Sequence, residues 1–559
     1  MISMESLSRT CADVIEHIRN RTDIPLRRRQ DLTSAVRRLC RFQNRDPCDV
    51  SAGPDVLRRQ LEWMSPATSG LSPGSIRNLK SLIGKAMIIA GVTTVPRRSR
   101  APLAPAWRQL LAAIDDRHHR YRLSHLAHYL SERGIDPAEV DDDVVDGYRR
   151  DLISNSLRRR PKQAVRYAVR AWNCVRNTEA APHLRELQIP NSSRQHALSP
   201  AAFPSSLRED LEAYLAHIKG DDLFGERGER PARPDTIISQ RYQIMALASA
   251  LVEAGSDAQS IGSLADLVAP DAAKAALTIL WLRLGQRKTG YLHNLALLIV
   301  HLGRHWVKLP SDELAQLRVL RRRLNPGTLG MAESNRRKLA QFGDPANVAA
   351  LLGLPRRLMT EAVRRDRGGV REAVLAQTAV ATAILLAAPL RIRTLVSLNA
   401  DEHILRWGSG QRAVVHLVIP GTLVKNGQPL EFVLPQRVVE PLDMYWNRFR
   451  PRLVTAPESW LFPGRHGPKD RVGMSKQISE TIHKTTGLRV HTHLFRHLAG
   501  YLILKNNPGE FETVRVLLGH RSIDTTTAFY CGMEQIAAFA RFDEIVSAYL
   551  VEEHKDAAG

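Results

Sequence analysis

From His493 to Tyr530 the chain reads HLFRHLAGYLILKNNPGEFETVRVLLGHRSIDTTTAFY, which sets Tyr530 downstream of His493, Arg496 and His520. His493 and Arg496 lie three apart, with Leu494, Phe495, Leu498 and Leu502 at helical spacing around them, so both polar groups can leave one face of a helix. Asn506, Asn507, Pro508 and Gly509 then stop that helix. Phe511, Val514, Leu517 and Leu518 predict a second helix closed by Gly519, which is free to take the positive φ of a helix C-terminus, and His520 follows at once. Asp524 and Thr525 to Thr527 can accept hydrogen bonds from free backbone N–H groups and so start a short third helix that carries Tyr530.

The rest of the chain sets the class of partner. Its 559 residues, 43% of them hydrophobic, suffice for roughly three or four domains. Lys and Arg number 80 against 57 Asp and Glu, giving a net charge of +23 and an isoelectric point near 10.3. Such an imbalance points to a polyanion, double-stranded DNA foremost. Cys11, Cys40, Cys48, Cys174 and Cys531 form no CxxC pair, so neither a disulfide framework nor a zinc ribbon is expected. The opening MISMESLSRTC lacks the apolar core of an export signal, and a cytoplasmic location is expected. Ala373 to Leu390 has the length of a membrane span, but its Gln377, Thr378 and Thr382 read as a buried helix of a soluble core, so no membrane association is expected.

An internal repeat runs through the amino-terminal half. Arg120 to Val140 (RYRLSHLAHYLSERGIDPAEV) matches Arg241 to Ile261 (RYQIMALASALVEAGSDAQSI) without a gap, and Gln30 to Val50 forms a fainter third copy. Each predicts a helix, a Gly or Asn turn, and later a second basic helix: Ser75 to Ala90, Pro161 to Asn173 and Thr289 to His301. Clusters at Arg27 to Arg29, Arg97 to Arg100, Arg158 to Lys162 and Arg321 to Arg323 lie near the edges of these units and read as phosphate contacts rather than as solvated faces alone. Arg158, Arg159, Arg160, Lys162, Arg287 and Lys288 are the DNA-binding candidates. Linkers are expected at Val95 to Ala104, Gln188 to Ser205 and Leu324 to Pro345.

Beyond Pro345 the pattern changes. Strand-like runs at Ala413 to Ile419, Thr422 to Val424 and Leu430 to Leu434 flank Lys425-Asn426-Gly427, and Asn-Gly between apolar runs predicts a tight hairpin turn, since both residues tolerate positive φ, with Lys425 at its tip. Arg391, Lys425, His493, Arg496, His520 and Tyr530 are then a set of cations and proton carriers around one nucleophile. A phosphodiester calls for such a set: guanidinium forks bind its non-bridging oxygens, a base or nearby cation helps a tyrosine of pKa about 10 lose its proton, and a lysine can protonate the leaving oxygen. Two other signals carry less. Gly285-Gln286-Arg287-Lys288-Thr289-Gly290 lacks the upstream glycine spacing of a phosphate-binding loop. His491, His493 and His497 have no carboxylate or cysteine at ligand spacing, so no cofactor and no metal are expected.

PLRIRTL around Arg391, LVKNGQPLEFVLP around Lys425, HTHLFRH, LLGH and the final FY, in this order, resemble the tyrosine recombinases of the phage integrase and Xer class. The resemblance spans roughly Ala346 to Leu550. It implies that Arg391 and Arg496 clamp the scissile phosphate, that Lys425 is the general acid, that His493 and His520 assist proton transfer and hold the phosphate, and that Tyr530 forms a 3′-phosphotyrosyl link. It further implies four protomers on two DNA sites, possibly with sister recombinases, exchanging C-terminal segments such as Phe539 to Leu550. Two departures stand out. An acidic residue common three places after the first arginine is replaced by Thr394, and the nucleophile comes one residue later than usual, where Phe529 holds the usual place. On a helix that step turns the side chain by about 100°.

The expected fold is mainly α and multidomain: helical DNA-clamping domains, then an α+β tyrosine-recombinase catalytic domain with a small antiparallel sheet. The expected divisions are 1–98, a helical repeat unit with an accessory or DNA-binding role; 99–200, a core-binding-like repeat unit; 201–345, a helical core-binding domain of the SAM-like kind; and 346–559, the catalytic domain. The function implied is site-specific DNA recombination for integration, excision or transposition of a mobile element. Three alternatives stay open: a catalytically impaired accessory or architectural DNA-binding protein, a type IB topoisomerase-like activity, and an interaction scaffold built on the repeats.

Overall fold

The computed structural model describes residues 9–95, 102–178, 181, 184–190, 198–220, 231–327, 330–408, 414–454, 458–464, 466–520, 522–524 and 526–527. They belong to two compact units, Asn191–Leu329 and Met1–Pro190 with Gly330–Gly559. The architecture is mainly helical with one small antiparallel sheet.

The repeat has a shared local geometry. Helices Leu26–Phe42, Arg117–Ser131 and Pro234–Glu253 are each followed by one left-handed residue, Asn44 (φ 52), Gly134 (φ 68) or Gly255 (φ 111). Next come Asp46, Asp136 and Asp257, each the cap of a short 3-10 turn, at Pro47–Asp49, Pro137–Glu139 and Ala258–Ser260. An aspartate suits this place because its carboxylate accepts the backbone N–H groups that a helix start leaves unpaired. The later helices are Pro73–Ile89, Pro161–Arg176 and Gly290–His305. Each copy closes its own apolar cluster, including Leu32, Val36 and Ile83 in the first, Leu126, Val165 and Trp172 in the second, and Leu247, Leu251 and Leu295 in the third.

A fourth cluster runs from Met331 to Leu518 around the helix Val370–Ala387. Gln377, Thr378 and Thr382 are buried there with their polar atoms paired: each threonine donates to a carbonyl one turn back, and Lys469 Nζ donates to Gln377 Oε1 at 2.6 Å. This is the one described helix long and apolar enough to cross a membrane, and 61% of it is buried inside the protein. Met331, Leu339 and Phe342 belong to the same cluster, so the expected linker Leu324 to Pro345 is corrected. It contains the helix Glu333–Leu339, because Leu339 finds a buried site and Arg336, Arg337 and Lys338 suit its C-terminal turn.

The sheet has strands β1 (Ile404–Trp407), β2 (Val414–Ile419) and β3 (Leu430–Leu434) in that order. Val415, Leu417 and Ile419 alternate into the core, which fixes the register Ile404↔Leu417 and Ile419↔Leu430. β1 was not expected from the sequence. The hairpin is also corrected. Thr422 to Val424 is not a strand but part of a 3-10 turn, Gly421–Leu423, in a longer loop, and only Gly427 takes a positive φ (78), Asn426 keeping a negative one. The loop folds back on itself, so tightly that a Cβ on Gly421 would stand 2.2 Å from Gly427 O.

The first repeat copy packs on this domain within the same unit. Trp63 lies under Arg337 (4.4 Å) and Arg489 (5.5 Å), and Asn347 Nδ2 donates to Ala67 O at 3.1 Å.

Candidate functional site

Arg496 organises the site. It sits in the helix Leu494–Asn506, 3% exposed, with His493 as the cap just before the first turn rather than within the helix as expected. Its Nη1 donates to Pro389 O at 2.7 Å and its Nη2 to Leu518 O at 2.5 Å. The first carbonyl lies two residues before Arg391, which caps the helix Ile392–Val396. The second ends the helix Phe511–Leu518, closed by Gly519 in the left-handed conformation (φ 58), directly before His520. One guanidinium thus holds together the segments of three candidate groups.

The Lys425 loop completes the ring. Thr394 Oγ1 donates to Leu423 O at 3.1 Å, and Asn426 Nδ2 donates to Gly519 O at 2.7 Å. Lys425 is exposed between these two anchors. Thr394, at the place where the family's acidic residue was expected, therefore ties the segment of Arg391 to that of Lys425. One closed set of contacts ties together the segments that carry Arg391, Lys425, His493, Arg496 and His520. Tyr530 lies outside the described residues, as does Phe539 to Leu550.

The electrostatics have one sign. Burial lowers the pKa of His493, and Arg496 and Arg391 lower it further. For His520 burial is again the largest cause, followed by Arg496, Arg391, His493 and Arg515, and together they bring it to about 4. His493 keeps solvent access although many protein atoms lie around it. Burial also lowers the pKa of Arg391. Both histidines are neutral at pH 7, able to accept a proton or donate a hydrogen bond, beside two arginines. Such a cluster favours an anion with tetrahedral oxygens.

A second layer supports the histidines. Asn335, on the helix Glu333–Leu339, accepts from His491 Nε2 at 3.1 Å and donates to His497 Nε2 at 3.4 Å. The His497 ring meets the His493 ring edge-on, 4.9 Å between centroids. His520 Nδ1 is hydrogen-bonded to Thr526 Oγ1 at 3.0 Å. Sequence reading missed Asn335, since no spacing signal links it to a segment about 160 residues later. Among the described residues no three His, Cys, Asp or Glu side chains are grouped as metal ligands.

The DNA-binding candidates lie elsewhere. Arg158 is half-buried, Arg159 pairs with Glu62 at 2.9 Å, Arg160 is the left-handed cap (φ 54) of Pro161–Arg176, and Lys162 is exposed. Arg287 and Lys288 are exposed in the other unit. Arg97 to Arg100 falls outside the described residues.

Residues 357–534 match the Phage integrase family. The matched span holds the whole ring of contacts from Pro389 to His520. Comparison with curated proteins gives no match. Solved structures similar to the chain include a XerA recombinase, 16% identical, covering 57% of this chain and 92% of its own, with a TM-score of 0.23. A XerH site-specific recombinase bound to difH substrate is 12% identical, covering 60% and 94%, with a TM-score of 0.29. The Tn1549 transposon integrase in complex with circular intermediate DNA is 15% identical, covering 58% and 98%, with a TM-score of 0.33.

Proposed function

We propose that the chain cleaves and rejoins double-stranded DNA at specific sites through a 3′-phosphotyrosyl link to Tyr530, in the integration, excision or transposition of a mobile element. The observation that supports this reading is the ring of hydrogen bonds that ties together the chain segments bearing Arg391, Lys425, His493, Arg496 and His520. In this reading Arg391 and Arg496 bind the non-bridging phosphate oxygens, neutral His493 and His520 handle the tyrosine proton and the phosphate, and Lys425 protonates the leaving 5′ oxygen. The freed 5′-hydroxyl of a partner strand then attacks the phosphotyrosine, so the bond energy is kept. Four protomers on two sites, alone or with sister recombinases, would perform the exchange. The basic repeat units, with Arg158, Arg159, Arg160, Lys162, Arg287 and Lys288, would extend the grip on DNA.

A plasmid carrying two copies of the DNA end that borders the gene tests this reading. The expected product is a deletion or inversion joined at those sites. Relaxed topoisomers alone would make the protein a topoisomerase, and binding without either product an accessory DNA-binding protein. Affinity that ignores salt would point to a scaffold, because phosphate contacts release condensed counterions and that release is less favourable as bulk salt rises.

A further inference from the structure

The loop that carries Lys425 is fastened on both sides of that residue to segments bearing the other candidate groups. Thr394 Oγ1, on a side chain only 5% exposed, holds Leu423 O two residues before it. Asn426 Nδ2 holds Gly519 O one residue after it, next to His520. Just outside these anchors the approach of Gly421 to Gly427 leaves no room for even a Cβ, so the loop has a closed shape. An asparagine before a glycine usually serves a turn by tolerating positive φ. Asn426 keeps a negative φ: its Oδ1 accepts from Gln428 N at 3.5 Å within the turn, and its Nδ2 makes its shortest contact, 2.7 Å, with the distant Gly519 O.

We infer that Asn426 is a positioning residue, whose amide sets Lys425 Nζ at the leaving 5′ oxygen by anchoring the loop on the carbonyl beside His520. This rests on the reading of Lys425 as the general acid. In the cleavage step the Tyr530 oxygen bonds to phosphorus as the bond from phosphorus to the 5′ oxygen breaks. The tyrosine proton passes to a neutral histidine or water, and Lys425 gives a proton to the 5′ oxygen. A lysine on an untied loop would spread its ammonium over many positions, and a displacement of about 1 Å at a reacting group can cost on the order of a hundredfold in rate. Because the anchor is the residue before His520, the general acid and the histidine move as one piece.

The test uses a nicked duplex carrying the site, and the same duplex with sulfur in place of the bridging 5′ oxygen. A thiol, with a pKa of about 8.5, leaves as thiolate and needs no proton donor. Lys425→Ala, Asn426→Ala and Asn426→Asp are compared with the unaltered full-length chain. The aspartate keeps the size but offers the Gly519 carbonyl no donor. On the oxygen duplex all three should form the covalent adduct at least about tenfold more slowly, in line with loss of general acid catalysis. On the sulfur duplex all three should come within about twofold of the unaltered chain. The inference is overturned if Lys425→Ala recovers on sulfur while the Asn426 variants stay slow, or if either Asn426 variant cuts the oxygen duplex at the full rate. Should Lys425→Ala itself fail to recover, the role of Lys425 falls, and the inference with it.

Discussion

At the scale of the residue, Arg496 carries two loads, a structural one between Pro389 and Leu518 and a proposed catalytic one at the phosphate. Arg496→Lys should lose both, since one ammonium cannot span two carbonyls fixed by a planar fork. Leaving one of them buried and unpaired costs about 1–3 kcal/mol, so the urea midpoint should fall together with DNA cleavage. An unchanged midpoint would contradict the role of Arg496 as the tie of the ring. The groups themselves were legible because each sits in a short motif whose residue types suit phosphate chemistry. Their ties were not. Asn426 reads as a turn former, and nothing in the spacing says that Thr394 reaches a carbonyl 29 residues away.

At the scale of the element, the segment from His491 to His497 is held against the helix Glu333–Leu339 by Asn335 and is crowded by cations. Burial first, then the neighbouring histidines, then Arg496, lower His497 from 6.5 to about 4. The folded chain therefore binds fewer protons than the unfolded chain between those values. Stability from this group is full above pH 6.5 and is lost as the pH falls toward 4. For a side chain 6% exposed the loss is on the order of 3 kcal/mol at about 1.4 kcal/mol per pH unit. Urea midpoints should thus drop between pH 7.5 and pH 5, and His497→Gln should flatten the drop. A midpoint that holds steady in the unaltered chain would contradict this account. Long periodic helices such as Val370–Ala387 were readable from sequence, whereas the four residues of β1 are too few for a period, and the helix Glu333–Leu339 is polar enough to pass for a linker. The hairpin existed where Asn-Gly placed it, but its turn type depends on Gly421 meeting Gly427, a tertiary contact.

At the scale of the whole molecule, the repeat was visible because a helix, a left-handed Gly or Asn and an aspartate cap recur in the same order each time. How the first copy serves the integrase domain was not visible, since Trp63 meets Arg337 and Arg489 only in three dimensions. Arg489 stands two residues before His491, so the contact bears on the histidine segment. Each cation–π pair is worth about 1 kcal/mol. Trp63→Ala should therefore speed hydrogen exchange over residues 487–493, and Trp63→Phe should restore most of the protection; equal exchange in all three would show that the first copy does not steady that segment. The central claim is that this integrase domain attacks DNA with Tyr530, one position later than the family's usual place. The most direct measurement is the peptide left on DNA after the full-length chain is trapped on a nicked duplex and digested: mass spectrometry should find a 3′-phosphate on Tyr530 and no adduct in Tyr530→Phe, whereas a link at another residue, or an adduct that persists in Tyr530→Phe, would contradict the account.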